Sequence, residues 1–272
     1  MPESPAAEGI RGSAGLVPAS PAREQTGAAT GEVTVDDVPV ILVHGFASSY
    51  ERNWREPGWT DLLRDEGREV IGVDLLGHGQ AARPRDPAAY ASLEQSVLTA
   101  LPGTGQVDAV GFSLGAQVLL RAAAAAPGRF RRIAVAGTGD GVFASTDPEP
   151  AARAVETGQA DEAAGPVAAA LAHFARAPGN DRAALAACLR RPHAPLTEAE
   201  VAAVRAHVLV ILGDRDFAGP ADRLVAALPD ARLVLLPGTD HFGTLRDFRF
   251  VQAALDFVCR GDAGEGNPAS GR

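Results

Sequence analysis

The sequence predicts an α/β domain: a mostly parallel central sheet, helices on both faces and a small helical insert. Three observations carry that expectation. Six apolar runs of strand length alternate with helical patterns, the order expected when each strand returns to the sheet through a helix. Several of these runs are near-continuous Val, Ile and Leu, as expected of strands covered on both faces. The alternation breaks once, in an Ala- and Pro-rich stretch with no strand candidate.

Taken in order, the strand candidates are Val38–Val43, Glu69–Val73, Val107–Val110, Ile133–Ala136, Val208–Leu212 and Arg232–Leu236. Helical patterns follow the first three at Trp59–Glu66, Leu93–Leu101 and Ala116–Ala126, and the fifth at Ala221–Leu228. Phe248–Val258 closes the domain. Pro102, Pro127 and Pro229 mark helix ends, because proline lacks the N–H a helix needs and clashes with the preceding turn. Residues 141–206 are punctuated by Pro148, Pro150, Pro166, Pro178, Pro192 and Pro195, which fits an insert of three or four short helices. The core is thus expected over 32–140 and 207–260. Residues 1–31 and 261–272, rich in Ala, Pro, Gly and Ser, are expected to be disordered tails.

Composition narrows the function classes. With 272 residues, 46% of them hydrophobic, the chain suits one domain with a sizeable core. A net charge of -9 argues against nucleic-acid and anionic-membrane partners, which attract clustered cations. No run approaches the roughly 18 apolar residues of a membrane-spanning helix. Every basic residue is Arg, so chemistry that needs a lysine amine, such as a Schiff base or a phosphate-binding P-loop, is excluded. Only Cys188 and Cys259 are present, which disfavours a disulfide framework or a cysteine zinc site. Reduced thiols, and a start without a basic segment before an apolar one, lead us to expect a cytoplasmic protein.

The strongest chemical signal is Gly111-Phe112-Ser113-Leu114-Gly115, which follows the strand run VDAV and opens the helix AQVLLRAAAAA. A serine on a sharp strand-to-helix turn projects its hydroxyl above the sheet, and flanking glycines leave room for the backbone to pass. The helix that begins there points N–H groups and a positive dipole end at the site. A serine hydroxyl is a weak nucleophile and needs a base beside it.

Of six histidines, His44 and His78 sit in glycine turns, where packing roles are expected. His173 and His193 lie in the insert and His207 at a strand entrance, positions that suit surface or core residues. His241 lies in the loop after the last strand, at the sheet end where open α/β folds place their ligands. An acid that fixes the imidazole tautomer is offered by Gly213-Asp214-Arg215-Asp216, again at a strand's carboxyl end.

These segments together resemble the α/β-hydrolase superfamily. His44-Gly45-Phe46, Asp74-Leu75-Leu76-Gly77-His78-Gly79, GFSLG, LGDRD and GTDHF occur in that family's order and approximate spacing, over roughly Val38 to Val258. The resemblance implies Ser113 as nucleophile, His241 as base and Asp216 rather than Asp214 as acid, with Asp214 a turn or capping residue. It implies an oxyanion hole from the backbone N–H groups of Phe46 and Leu114. Asp74 to Gly79 would be a structural turn beneath the site, and residues 141–206 a lid over it. Two departures stand out. GEVTVDD is too short for the two antiparallel strands usual before the first parallel one, so the sheet is expected to be trimmed there. Asp140, in the loop before the insert, is an alternative acid.

The expected reaction is cleavage of a small ester, thioester, lactone or carbon–carbon bond through an acyl-enzyme, with a small acyl compound as partner and neither metal nor organic cofactor. A cofactor-free perhydrolase, an acyltransferase or a lyase would use the same residues, and a non-catalytic ligand-binding homologue is a third class. A dinucleotide enzyme is disfavoured, because Gly137-Thr138-Gly139-Asp140-Gly141-Val142 lacks the last glycine of its fingerprint. A serine at the elbow disfavours relatives with a carboxylate nucleophile. The arginines of the insert, among them Arg153, Arg176, Arg190 and Arg191, are expected to face solvent rather than substrate.

Overall fold

The computed structural model describes residues 38–261; apart from Gly261, the expected tails lie outside them. Six strands form one sheet: β1 (Val40–Val43), β2 (Val70–Val73), β3 (Val107–Phe112), β4 (Phe130–Ala136), β5 (His207–Gly213) and β6 (Ala231–Leu236). Their spatial order is β2-β1-β3-β4-β5-β6, and every pairing is parallel. Among the described residues the sheet is therefore wholly parallel, and β2 is its edge. Pro39 has no N–H to give, so the ladder starts at Val40 rather than Val38, with Val40 N–H donating to Glu69 O at 2.8 Å.

Helix α1 (Trp59–Asp65) follows β1, α2 (Gln95–Ala100) follows β2 and α3 (Leu114–Ala125) follows β3. The insert between β4 and β5 holds α4 (Glu149–Thr157), α5 (Gly165–Ala175), α6 (Arg182–Leu189) and α7 (Glu198–Ala202). It contains no strand, as expected. Helix α8 (Asp222–Ala227) joins β5 to β6, and α9 (Phe248–Arg260) closes the fold. Among the described residues no helix is long and apolar enough to cross a membrane.

The alternation of side chains along each strand builds two cores. Ile41, Val43, Val107, Ala109, Val208 and Val210 face one side, where they meet α2, α3 and α8. Val40, Leu42, Val110, Phe112, Leu209 and Ile211 face the other, against Trp54, Trp59 and Phe250. Helix α9 fits that face because Phe250, Ala254, Phe257 and Val258 recur at helical spacing and are buried.

One buried charge interrupts the apolar pattern. Asp108 on β3 is fully buried and accepts from the fully buried Arg68 at 2.5 Å. It also accepts from Arg131 Nε at 3.0 Å and Nη2 at 2.5 Å. Arg131 is the extra residue of a bulge, since β3 and β4 pair Val107 with Phe130 but Asp108 with Arg132. That bulge also explains why β4 starts at Phe130, three residues before the apolar run Ile133–Ala136. Arg68 donates further to Val38 O and Val258 O, so one guanidinium ties β1's approach and α9 to β3. Asp108→Ala would strand a desolvated guanidinium and should cost about 3–5 kcal/mol in urea unfolding. A loss below about 1 kcal/mol would contradict this account of the cluster.

Two fully buried histidines hold the turns beneath the sheet's carboxyl end. His44 accepts from Leu75 N–H at 3.1 Å through Nε2 and donates from Nδ1 to Gly45 O at 2.7 Å. His78 donates from Nδ1 to Leu76 O at 3.0 Å, and its ring lies 5.1 Å from that of His44. Burial, and then the neighbouring His44, push His78 from 6.5 down to about 3; burial also lowers His44. Below pH 6.5 the unfolded chain therefore binds protons that the folded chain refuses, and stability falls as pH falls toward 3. Unfolding free energy should drop between pH 6.5 and 5 by up to about 1.4 kcal/mol per pH unit from His78, with His44 adding in the same direction. His78→Asn should flatten that slope, and an unchanged slope would show that His78 titrates normally.

Candidate active site

Ser113 stands between the last residue of β3 and the first of α3, with φ +52° and ψ −113°. A non-glycine residue holds such a backbone only where its surroundings enforce it. Here they do. A Cβ on Gly115 would come within 2.4 Å of Val43 O and 2.5 Å of His44 O, so α3 can start against β1 only with glycine at that position. A Cβ on Gly111 would lie 2.6 Å from Leu119 Cδ1 and 2.9 Å from the Gly115 carbonyl, so the strand and helix ends close on each other. Ser113 N–H is fastened to Ala136 O at 2.8 Å, which pins the turn to the end of β4. The helix begins immediately after Ser113, two residues before the predicted start at Ala116.

His241 comes from the loop after β6 and Asp216 from the loop after β5, and both are buried. Nδ1 of His241 lies 2.9 and 3.0 Å from the two carboxylate oxygens of Asp216. A carboxylate only accepts, so Nδ1 carries the proton and Nε2 is left to accept from Ser113 Oγ–H, at 3.0 Å. Asp216 is held in turn by Ala218 N–H at 2.8 Å. The imidazole lies between the rings of Phe217, 4.3 Å away, and Phe112, 5.0 Å away. The structure thus brings Ser113, His241 and Asp216 into one hydrogen-bonded line.

The other candidate acids are engaged elsewhere. Asp214 accepts from Gly238 N–H at 2.8 Å and joins the two loops that carry Asp216 and His241. Asp140 accepts from Leu224 N–H at 2.9 Å, in the first turn of α8, and does not reach His241. Of the remaining histidines, His207 pairs with Asp230 and His173 with Arg176, both on the surface.

The N–H groups of Phe46 and Leu114 donate to no acceptor among the described residues. The loop that carries Phe46 is fixed around them. Gly45 N–H donates to Asn53 Oδ1 at 2.9 Å, and Asn180 of the insert donates to Ala47 O at 2.9 Å. Asp74 accepts from Tyr50 N–H at 2.8 Å and Gln80 N–H at 2.7 Å, which closes the turn beneath the site. Sequence reasoning missed Asn53 and Asn180, because an asparagine that holds a distant loop carries no local pattern.

A cavity of about 380 Å³ opens at Ser113 and His241. Its apolar wall is Phe46, Phe112, Leu171, Phe174, Phe242 and Leu245, so helix α5 of the insert supplies part of it. A larger groove of about 490 Å³ on the insert, from Asp147 to Ala164, includes none of the three aligned residues. The insert arginines singled out in the sequence stay away from the cavity. Arg190 is forked onto Glu149 and Glu156, Arg153 lies 3.7 Å from Glu149, and Arg191 donates to Cys188 O.

Comparison with solved structures finds the same fold at low identity. A 2-hydroxy-6-oxo-6-phenylhexa-2,4-dienoate hydrolase from Rhodococcus sp. strain RHA1 is 22% identical, with a TM-score of 0.58 over 82% of this chain and 91% of that one. A bromoperoxidase from Bacillus anthracis is 19% identical, with a TM-score of 0.63 over 82% and 92%. A thermophilic esterase from Thermogutta terrifontis is 21% identical, with a TM-score of 0.60 over 81% and 89%. No curated protein sequence matches significantly. The family model described as the alpha/beta hydrolase family matches residues 40–253, most of the chain. The scaffold is of the hydrolase type, and the chain belongs to the alpha/beta hydrolase family.

Proposed function

We propose that the protein is a serine hydrolase that cleaves a small, largely apolar acyl compound through an acyl-enzyme. The observation that carries the reading is the unbroken line Asp216–His241–Ser113, with hydrogen bonds of 2.9 and 3.0 Å on the two imidazole nitrogens. Ser113 Oγ attacks the carbonyl carbon while His241 Nε2 takes its proton, and Asp216 stabilises the imidazolium that results. The carbonyl oxygen becomes an oxyanion that accepts from the N–H groups of Phe46 and Leu114. His241 returns the proton to the leaving group, then activates a water that releases the acid and restores Ser113.

The apolar wall of the cavity supports a hydrocarbon acyl chain. Residues 141–206 act as a lid in this reading, since Leu171 and Phe174 close the cavity from the insert side. A carboxylesterase is the central assignment, and a carbon–carbon hydrolase would use the same steps. Similarity to a bromoperoxidase keeps a cofactor-free perhydrolase in view; acceleration of ester cleavage by added peroxide, with peracid as product, would favour it. Cytoplasmic location remains part of the proposal, on the two free cysteines.

The test is intact-mass labelling with a fluorophosphonate, followed by a 4-nitrophenyl ester chain-length series. One label, at Ser113 and dependent on His241, is expected; well-folded protein that takes no label would favour a binding homologue. Ser113→Ala and His241→Gln should each lower kcat by about 10³-fold or more, because the two act as a unit. Asp216→Asn should cost about 10³–10⁴-fold in kcat, against less than about tenfold for Asp214→Asn. The reverse order in steady-state kinetics would overturn the assignment of the acid.

A further inference from the structure

We propose that the substrate carries a carboxylate on its acyl chain, received by Arg246 and Arg52 at the mouth of the cavity; this rests on Ser113 being the nucleophile. Among the described residues, the cavity that opens at Ser113 is lined by two arginines and by no Asp or Glu. The chain as a whole has 34 acidic against 25 basic residues, so a wall with only positive charge departs from its overall bias. Neither arginine belongs to the insert. Arg52 lies in the helical turn Glu51–Arg55, after the loop that carries Phe46, and Arg246 ends the turn Thr244–Arg246, after His241.

Their present partners leave both cations available. Arg246 is exposed, and its guanidinium makes no hydrogen bond or ion pair with a described residue; its backbone N–H donates to Gly243 O at 3.0 Å. The carboxylates nearest to it in the chain are taken. Asp247 is bound by Arg249 and Thr239, and Asp240 accepts from Gly243 N–H. Arg52 gives one N–H to Pro178 O and keeps the rest of its guanidinium free among the described residues.

The rest of the lining is mostly apolar, with Phe46, Phe112, Phe174, Phe242 and Leu245 beside the polar Ser48 and Asn53. A hydrocarbon spacer with an ester carbonyl at one end and a carboxylate at the other matches that combination of a nucleophile, apolar side chains and two cations. A guanidinium is the group best shaped to accept a carboxylate with two parallel N–H bonds. Two guanidiniums on one carboxylate offset the solvent screening that leaves a single exposed ion pair worth little. The substrate class is therefore the half-ester or half-thioester of a dicarboxylic acid.

The experiment compares the mono-4-nitrophenyl ester of adipic acid with its neutral counterpart, methyl 4-nitrophenyl adipate. The ratio of their kcat/KM values is the readout, in wild type, Arg246→Gln, Arg246→Lys and Arg246→Glu. Wild type should favour the anionic ester by about tenfold or more, mostly through KM, in line with one charge-assisted contact. Arg246→Gln should lower the ratio severalfold, leaving what Arg52 supplies, Arg246→Lys should retain more of it, and Arg246→Glu should lower it furthest. A wild-type ratio at or below 1, or one unchanged in Arg246→Gln, overturns the carboxylate proposal while the hydrolase reading stands. No cleavage of either ester, with no fluorophosphonate label on Ser113, overturns the hydrolase reading and this proposal with it.

Discussion

The site depends on one close approach: α3 starts against the end of β1, with Gly115 less than van der Waals distance from any side chain it could carry. That contact forces the turn before it, and the turn holds Ser113 at φ +52°. The strain is supported by the surroundings, since Ser113 N–H is bound to β4 and the first helical bond runs from Gln117 N–H to Ser113 O at 3.1 Å. The same approach leaves the Leu114 N–H without an acceptor among the described residues. One backbone constraint therefore presents a hydroxyl and an N–H to the same space.

The strand order completes the arrangement. β1 and β3 are neighbours, and the chain leaves β1 toward β2 on one side and β3 toward β4 on the other, so a crevice opens at their carboxyl ends. The Phe46 loop leaves β1 and the Ser113 turn leaves β3, on the two sides of that crevice. The loops after β5 and β6, linked by Asp214 to Gly238, carry Asp216 and His241 in from the far side. Packing of the two cores fixes the strands, and the strand ends fix the chemistry. The insert packs on smaller side chains. Its own core is made mainly of alanines such as Ala152, Ala175 and Ala186, which also touch Ala47 beside the site.

Much of this was legible because it rests on short-range rules. The six strands stand out as apolar runs, and GFSLG predicts its own geometry because only glycine fits two residues to either side of the serine. Asp216 was separable from Asp214 by resemblance alone; the physical reason, that Asp214 bridges two loops, needs their three-dimensional pairing. The edges of elements were less legible. The start of β4 at Phe130 depends on a bulge that delivers Arg131 to Asp108, a pairing set by residues 23 apart. Asn53, Asn180, Arg52 and Arg246 had no signal at all, since each acts on a loop or cavity that exists only after folding. The insert was readable as helices but not as a wall, because which face of α5 turns toward Ser113 is decided by contacts with Phe46 and Ala47 rather than by its own period.

The central claim is that Ser113, His241 and two backbone N–H groups converge on one carbonyl. The most direct measurement is a crystal structure with an alkylboronic acid, whose boron turns tetrahedral when a serine oxygen adds to it. The account predicts a covalent bond from Ser113 Oγ to boron, with one boronate oxygen about 2.7–3.1 Å from both the Phe46 and Leu114 nitrogens. Its other hydroxyl should lie within reach of His241. A boronate bound without a bond to Ser113, or one whose oxygens point away from both N–H groups, would contradict it.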